Sequence, residues 1–328
     1  MTGGHVAQPG NEAEVLCLGE TMSLVAPADP LPLERAPSFT LSAGGAESNV
    51  AVHLASLGHR VRWASRVGDD PLGRRLVASI ADAGVDTGLV EVRTDAPTGV
   101  YFKDPGPEGT RVHYYRAGSA ASTMDHDFLA DEDVDAARVL HISGITPAVS
   151  ESCDRLIRRL LTRPRRAPIS FDVNHRPALW SARQAAPVLA ELAQLADVVF
   201  VGLDEAATLW GVKTAADVRE LLDSPVTVVV KDGAEAAYAL GERTTVVPAP
   251  SVEVVEPVGA GDAFAAGFLS GLLRGEDDER CLRRGHLLAA HSLRSTEDHS
   301  AAPDAASVDR WLALDEQGWG ALRFDGSE

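Results

Sequence analysis

From Ala137 onward the chain alternates short, branched apolar runs with longer stretches of helical periodicity, and few folds accept such a pattern. Val139–Ile142, Ile169–Val173, Asp197–Val201 and Thr227–Val230 read as strands, with a helix over Ser150–Arg163 between the first two. Strands separated by helices return in the same direction, which predicts an α/β fold with a parallel sheet and helices on both faces. Glu14–Leu18 reads as a further buried strand, closed by the Gly19-Glu20 turn. Polar residues follow the later strands each time: Ser143-Gly144, Asp172-Val173-Asn174-His175-Arg176-Pro177, Gly202-Leu203-Asp204-Glu205 and Lys231-Asp232-Gly233. Open α/β sheets bind ligands beyond the carboxyl ends of their strands, so these residues predict one functional rim.

Between Val90 and Arg116 the pattern changes. Gly99–Lys103 and Arg111–Arg116 are strands joined by the Pro/Gly-rich turn Asp104–Gly109, which makes a hairpin. With the Pro- and Ala-rich segment 21–40 it reads as a small β lid projecting from the main sheet. Alternation puts Tyr114 and Arg116 on one face and Tyr115 on the other, and likewise pairs Tyr101 with Lys103. A face carrying Tyr101, Tyr114 and Arg116 suits a polar, anionic small molecule; padding tyrosines and a solvated edge charge are the plainer alternative.

Two glycine turns open helices. Gly44-Gly45-Ala46-Glu47-Ser48-Asn49 precedes the helical run Val50–Leu57. Val255-Glu256-Pro257-Val258-Gly259-Ala260-Gly261-Asp262 precedes the apolar run Ala263–Leu273. A helix start leaves backbone N–H groups unpaired and carries the positive end of the dipole, so it holds anions. Gly259 and Gly261 let a phosphate approach the backbone closely. Asp262 would repel that phosphate unless its task is to take a proton from the group attacking it. The combination points to phosphoryl transfer, with Asp262 as base and the amides of Gly259, Ala260 and Gly261 as the anion hole. Taken alone, the same residues also read as a plain turn followed by an ordinary first-turn acid.

Composition narrows the partners. The 328 residues carry a formal net charge of −18, which argues against nucleic-acid or anionic-membrane surfaces as partners. Cys17, Cys153 and Cys281 are too few and too far apart for a disulfide framework or a metal knuckle. The first residues lack a basic start and an apolar core, and no apolar run is long enough for a membrane span, so a cytoplasmic protein is expected. The expected organisation is a disordered tail over 1–13, one α/β domain over 14–314 with its lid from about 21–40 and 90–118, and a C-terminal tail over 315–328.

The motifs Gly44-Gly45…Asn49, the lid hairpin, Asp172-Val173-Asn174…Arg176 and Gly259-Ala260-Gly261-Asp262 together resemble the ribokinase-like (pfkB) carbohydrate kinases, in order and over nearly the whole chain. Within that family the closest likeness is to the 2-keto-3-deoxygluconate kinases, through Tyr114-Tyr115-Arg116-Ala117-Gly118-Ser119-Ala120 and Asp172-Val173-Asn174-His175-Arg176…Leu179-Trp180. The resemblance implies a ribokinase-like sheet and ATP and Mg²⁺ as cofactors. It implies a sugar-acid site of Gly44, Gly45, Asn49, Tyr101, Tyr114, Arg116, Asp172, Asn174, Arg176 and Asp262. On the nucleotide side it implies Lys231, Gly233, Gly259, Gly261 and Asn174, with Glu205 orienting Mg²⁺ through water and a homo-oligomer formed through the lid. Arg116 and Arg176 suit a carboxylate, which neutral sugars lack.

Two departures matter. The family's usual Asp-Thr before the glycine turn is Glu256-Pro257, which implies weak dependence on potassium, and the usual Asn of the Asn-x-x-Glu motif is Gly202. Fructokinase or another sugar kinase of the family remains an alternative. A dinucleotide oxidoreductase is disfavoured because Phe264 stands where a third glycine is required, and a P-loop kinase because none of the three lysines sits in Gly-Lys-Ser/Thr. A sugar-acid sensor without catalysis is opposed by the presence of Asp262.

Overall fold

The computed structural model of the chain describes residues 13–106, 109–294 and 303–324. The expected N-terminal tail lies outside them except for Ala13, which is buried. In chain order the strands are β1 (Val15–Leu18), β2 (Met22–Pro27), β3 (Phe39–Gly44), β4 (Val61–Gly68), β5 (Asp86–Arg93), β6 (Val100–Asp104) and β7 (Arg111–Tyr115). They continue with β8 (Val139–Ser143), β9 (Ile169–Asp172), β10 (Val198–Gly202), β11 (Thr227–Asp232), β12 (Ala236–Leu240) and β13 (Thr244–Pro248). The short β14 (Ser251–Val252) and β15 (Arg323–Phe324) pair with each other.

Among the described residues the main sheet has nine strands in the order β13-β12-β11-β10-β9-β8-β1-β4-β5. It is parallel except around β12, which runs antiparallel to both β11 and β13. From β1 the chain builds outward through β4 and β5, then returns to the other side of β1 with β8. The order therefore reverses between β1 and β8, where an open sheet leaves a crevice at the carboxyl ends of its strands.

Both faces of the sheet are covered, which is why Val15-Leu16-Cys17-Leu18 is apolar without alternation. Val15 and Cys17 join a core with the Ala46–Ser56, Ala260–Leu273 and Asp278–Leu293 helices. Leu16 and Leu18 join a second core with the Glu151–Thr162 and Ala182–Gln194 helices. The Ala260–Leu273 and Asp278–Leu293 helices approach closely. A Cβ on Gly267 would lie 2.5 Å from the carbonyl oxygen of Arg284, and one on Gly285 would lie 2.9 Å from the Phe264 ring.

The lid is a separate four-stranded sheet, β3-β2-β6-β7. Its second segment is shorter than the 90–118 expected, because β5 continues the parallel main sheet beyond β4. Across the hairpin Tyr101 pairs with Tyr114. Residues 315–324 form no loose tail: the Glu316–Gly320 helix buries Trp319, and β15 buries Phe324 beside β14. Trp319 donates its indole N–H to the Pro248 carbonyl at 2.9 Å, and that tertiary packing, not local pattern, orders the segment. Among the described residues no helix is long and apolar enough to cross a membrane.

Candidate active site

The Ala260–Leu273 helix begins on Gly259, whose φ of 86° lies in the left-handed region that glycine tolerates. Its first intrahelical bond runs from the Ala263 amide to the Gly259 carbonyl, so the amides before Ala263 have no carbonyl within the helix to donate to. Asp262 stands in this first turn, buried, at the floor of a cleft of about 490 Å³. Its Oδ2 accepts a 2.8 Å hydrogen bond from Asn49 Nδ2. Burial raises its pKa to about 7, against the opposing pull of Arg176 and the Asn49 bond. A base with that pKa is half ionised near neutrality and takes up a proton readily.

Gly44 and Gly45 bring the Ala46–Ser56 helix, and with it Asn49, under the lid. A Cβ on Gly44 would meet the Tyr101 hydroxyl at 2.0 Å, and one on Gly45 the Glu20 carbonyl at 2.5 Å. Asn49 Oδ1 is buried without a partner among the described residues. From the sheet come Asp172 at the end of β9, and Asn174 and Arg176 just beyond it. Asn174 has φ 42°, a conformation an L-residue adopts at a cost, so surrounding structure holds it there. Lys231, in β11, reaches Asp172 Oδ2 at 3.1 Å. Burial lowers its pKa, but Asp172 and Glu205 outweigh this and hold it above the ordinary value, so the ammonium stays charged. A Cβ on Gly261 would lie only 3.5 Å from that ammonium.

Tyr101, Tyr114 and Arg116 close the cleft from the lid side. The Arg116 guanidinium lies 6.0 Å from the Tyr114 ring centroid and forms an ion pair with Glu20. Glu20 also accepts a 2.5 Å hydrogen bond from Ser119. Arg116 is thus paired with an acid of the protein itself, which the sequence reading did not anticipate. The signal was the Gly19-Glu20 turn after β1: an acid at a sheet's carboxyl edge beside a switch point, where a solvated role is not the default. Arg176, by contrast, has no ion pair among the described residues, and its charge is felt by Asp262.

Glu205 differs from expectation. Its two carboxylate oxygens accept the backbone amides of His175, at 2.5 Å, and Gly202, at 3.2 Å, so it caps its own helix and braces the β9 loop. Burial and neighbouring Asp172 raise its pKa to about 7. Asp204 takes the place beside it: with no side chain at 202, its Oδ1 lies 2.8 Å from where a Cβ on Gly202 would be. Among the described residues no group of three His, Cys, Asp or Glu is placed to hold a metal by itself. The rim carboxylates Asp172 and Asp204 fit an ion that arrives with a polyphosphate and keeps its own waters.

A second cavity, of about 880 Å³, abuts the first and shares Gly202, Asp204, Lys231, Pro257 and Gly261 with it. Its far end is apolar, lined by Ala237, Val252, Phe264, Ala289 and Leu293. Gly233 and Ala260 line this cavity and not the cleft; Gly259, Asn174, Arg176 and the lid residues line the cleft. An apolar chamber, an anion-holding helix start and a base beside a polar cleft lie in sequence. That is the layout of a phosphotransferase: room for a base and ribose, a seat for phosphates, and a cleft for the acceptor.

The class so defined is that of the kinases acting on an alcohol group. The family model described as pfkB family carbohydrate kinase matches residues 12–305, and the chain belongs to that family. The 2-dehydro-3-deoxygluconokinase of Bacillus subtilis (strain 168) is 34% identical over 310 residues, covering 92% of this chain and 95% of that protein. The crystal structure of a PfkB protein from Polaromonas sp. JS666 is 36% identical with a TM-score of 0.82, covering 90% of this chain and 99% of that one. A fructokinase with bound ATP from Xylella fastidiosa is 27% identical with a TM-score of 0.77, covering 90% of this chain and 97% of that one.

Proposed function

We propose that the protein transfers the γ-phosphoryl group of ATP to the terminal hydroxyl of a sugar acid, 2-keto-3-deoxygluconate. The observation that carries the reading is a buried base, Asp262, at a helix start, facing a cleft that also holds Arg176, without an ion pair among the described residues, and the lid's Tyr101, Tyr114 and Arg116. The relative named for this substrate, alike over nearly the full chain, supports it. ATP as donor is supported by the nucleotide bound in the fructokinase neighbour and by the apolar chamber behind Gly261.

The substrate hydroxyl sits against Asp262, which accepts its proton as the oxygen forms a bond to the γ-phosphorus. The bond to the β,γ-bridging oxygen breaks and ADP leaves. The amides of Gly259, Ala260 and Gly261, with the Lys231 ammonium, balance the charge on the transferring group. Asn49 holds Asp262 in line and turns its free oxygen toward the sugar's hydroxyls. Arg176 takes the carboxylate. Arg116, held by Glu20, donates its remaining N–H groups to the keto or carboxylate oxygens. Asp172 and Asp204 are the carboxylates that would hold a magnesium ion arriving with the nucleotide, which would supply neutralisation of phosphate charge. An ATP-driven reaction of this kind belongs in the cytoplasm.

The lid's outer face carries the exposed Phe39, Leu41 and Tyr115, and self-association through it accounts for that apolar surface. Sedimentation of the wild type against Phe39→Asp reads this directly: the variant should run as a smaller species.

A coupled ADP-release assay on 2-keto-3-deoxygluconate and fructose, side by side, tests the substrate. The acid should be preferred by at least about ten-fold in kcat/KM, as one charge-assisted contact provides. Preference for fructose would move the protein to the neutral-sugar kinases of its family.

A further inference from the structure

The glycine turn 44–49 carries one buried acid that the reaction does not use. Glu47 stands two residues before Asn49, yet it does not line the cleft; it reaches the ends of β1 and β8, where the strand order reverses. Its Oε1 accepts hydrogen bonds from Ser143 Oγ at 2.6 Å and Thr146 Oγ1 at 3.1 Å. Its Oε2 has no hydrogen-bond partner among the described residues. Gly19 leaves the room for this carboxyl group: a Cβ there would lie 2.2 Å from Oε2.

Three consecutive side chains of that first helical turn are each tied to a different element. Glu47 goes to the 143–146 turn, Ser48 accepts from Thr21 Oγ1 at 2.7 Å, and Asn49 donates to Asp262 at 2.8 Å. Successive residues of a helix project about 100° apart, so three such ties fix the rotation of the helix about its axis and the direction of the Asn49 amide. The turn that Glu47 grips belongs to the site as well. Ser143 Oγ accepts the Ile145 amide at 3.1 Å, Gly144 donates its amide to the Asp172 carbonyl at 2.8 Å, and Ile145 and Asp172 line the cleft.

We propose that Glu47 is a positioning residue for the base: it sets the rotation of the Ala46–Ser56 helix against the 143–146 turn, so that Asn49 holds Asp262 in the orientation that takes the acceptor's proton. This rests on reading Asp262 as that base. Glu47 does so as the uncharged acid. The cation it feels, Arg116, is paired with Glu20, and burial raises the Glu47 pKa. A neutral carboxyl group is far less costly to bury than a carboxylate without a cation.

Steady-state kinetics on 2-keto-3-deoxygluconate as a function of pH read this role. Glu47→Leu keeps the bulk and removes the acceptor. Its kcat should fall about ten- to a hundred-fold, the scale on which small misplacements act, with KM for the acid within about three-fold. The rising limb of its kcat/KM should move above about 7, because the Asn49 bond helps to hold the Asp262 pKa down, while Arg176, Asp172 and Lys231, the charged groups that also act on Asp262, are untouched. Asn49→Ala should move the limb the same way, and adding Glu47→Leu to it should cost no more than about two-fold further in kcat. Glu47→Gln keeps a neutral head and an acceptor for both hydroxyls, and should restore kcat and limb. Ser143→Ala with Thr146→Val removes the donors from the other side, and should repeat the pattern where Glu47→Leu folds poorly. A crystal structure of the Glu47→Leu or the Ser143→Ala/Thr146→Val protein carries an independent arm: Asn49 Nδ2 should stand beyond about 3.5 Å from Asp262 Oδ2, outside hydrogen-bond reach. An unmoved limb, full additivity with Asn49→Ala, Glu47→Gln as impaired as Glu47→Leu, or an intact 2.8 Å bond would each overturn the proposal. Wild type that does not phosphorylate the acid, or shows no limb near 7, refutes the reading of the site instead, and the crystallographic arm then decides the role of Glu47 by itself.

Discussion

Asp262 is asked to be charged in a place that disfavours charge, and both halves of that conflict are measurable. Its pKa rises from 3.8 to about 7 on folding, chiefly through burial. As a base it must be ionised, so kcat/KM should climb as pH rises through about 7 and level off above. For stability the sign is opposite. Between 3.8 and about 7 the folded state binds the proton that the unfolded state has released, so stability falls as pH rises through that window. Asp262→Asn removes the conflict. It should cost about 10²–10⁴-fold in kcat, while its melting temperature relative to wild type should be near equal at pH 4 and higher at pH 8. Equal melting differences at both pH values would place Asp262 in a polar, unstrained setting. The two arginines separate in the same way. Arg116→Ala leaves Glu20 buried without its cation and should cost about 3–5 kcal/mol of stability in chemical denaturation. Arg176→Ala breaks no ion pair among the described residues; its loss should appear as a ten- to hundred-fold fall in kcat/KM on the acid, as expected of about 1.5–3 kcal/mol from a charge-assisted contact, with the pKa of buried Asp262 moved further up because Arg176 opposes its rise.

At the scale of elements, what the sequence displayed depended on whether burial was written locally. β1, β10 and β11 are covered on both faces, so they stand out as apolar runs, β9 is interrupted only by Ser170, and their polar ends could be assigned to one rim from sequence. The lid hairpin was legible from alternation, including which tyrosine faces out: Tyr115 is 68% exposed and Tyr101 8%. The partners of Glu20 and Glu205 were not legible: the Gly19-Glu20 turn marks an acid at the sheet's carboxyl edge, but nothing local shows the guanidinium that meets Glu20 or the amides that meet Glu205 after folding. Nor was the C-terminal segment. Glu-Gln-Gly-Trp-Gly holds two glycines, β15 spans two residues, and neither shows a period. Ending the chain after residue 314 should therefore do more than trim a tail. It removes buried Trp319 and Phe324, and also Gly320 and Arg323 from the wall of the apolar chamber. The expected loss is about 3–5 kcal/mol from the tryptophan by itself, together with weaker nucleotide binding, read by thermal melting with and without a non-hydrolysable ATP analogue.

Across the whole molecule, three bodies must be brought to one point: the sheet supplies Asp172, Asn174 and Lys231, the lid supplies Tyr101, Tyr114 and Arg116, and one helix supplies the anion hole and the base. The sheet is rigid by its hydrogen bonds and the lid is tied at Glu20. The helix is placed by how near it can come to its neighbour. Gly267 lies five residues past Asp262, about 7.5 Å along the axis, and its missing side chain sets the spacing between the two backbones. Gly267→Ala forces the helices apart, with an overpacking cost of about 1–3 kcal/mol, and should lower kcat more than it raises KM in steady-state kinetics. Unaltered kcat would mean that the helix yields elsewhere. The gap at Gly267 thus works as a gauge block, a clearance machined into the scaffold. A single methyl group inserted there, touching neither sugar nor nucleotide, is felt first at the oxygen that attacks phosphorus.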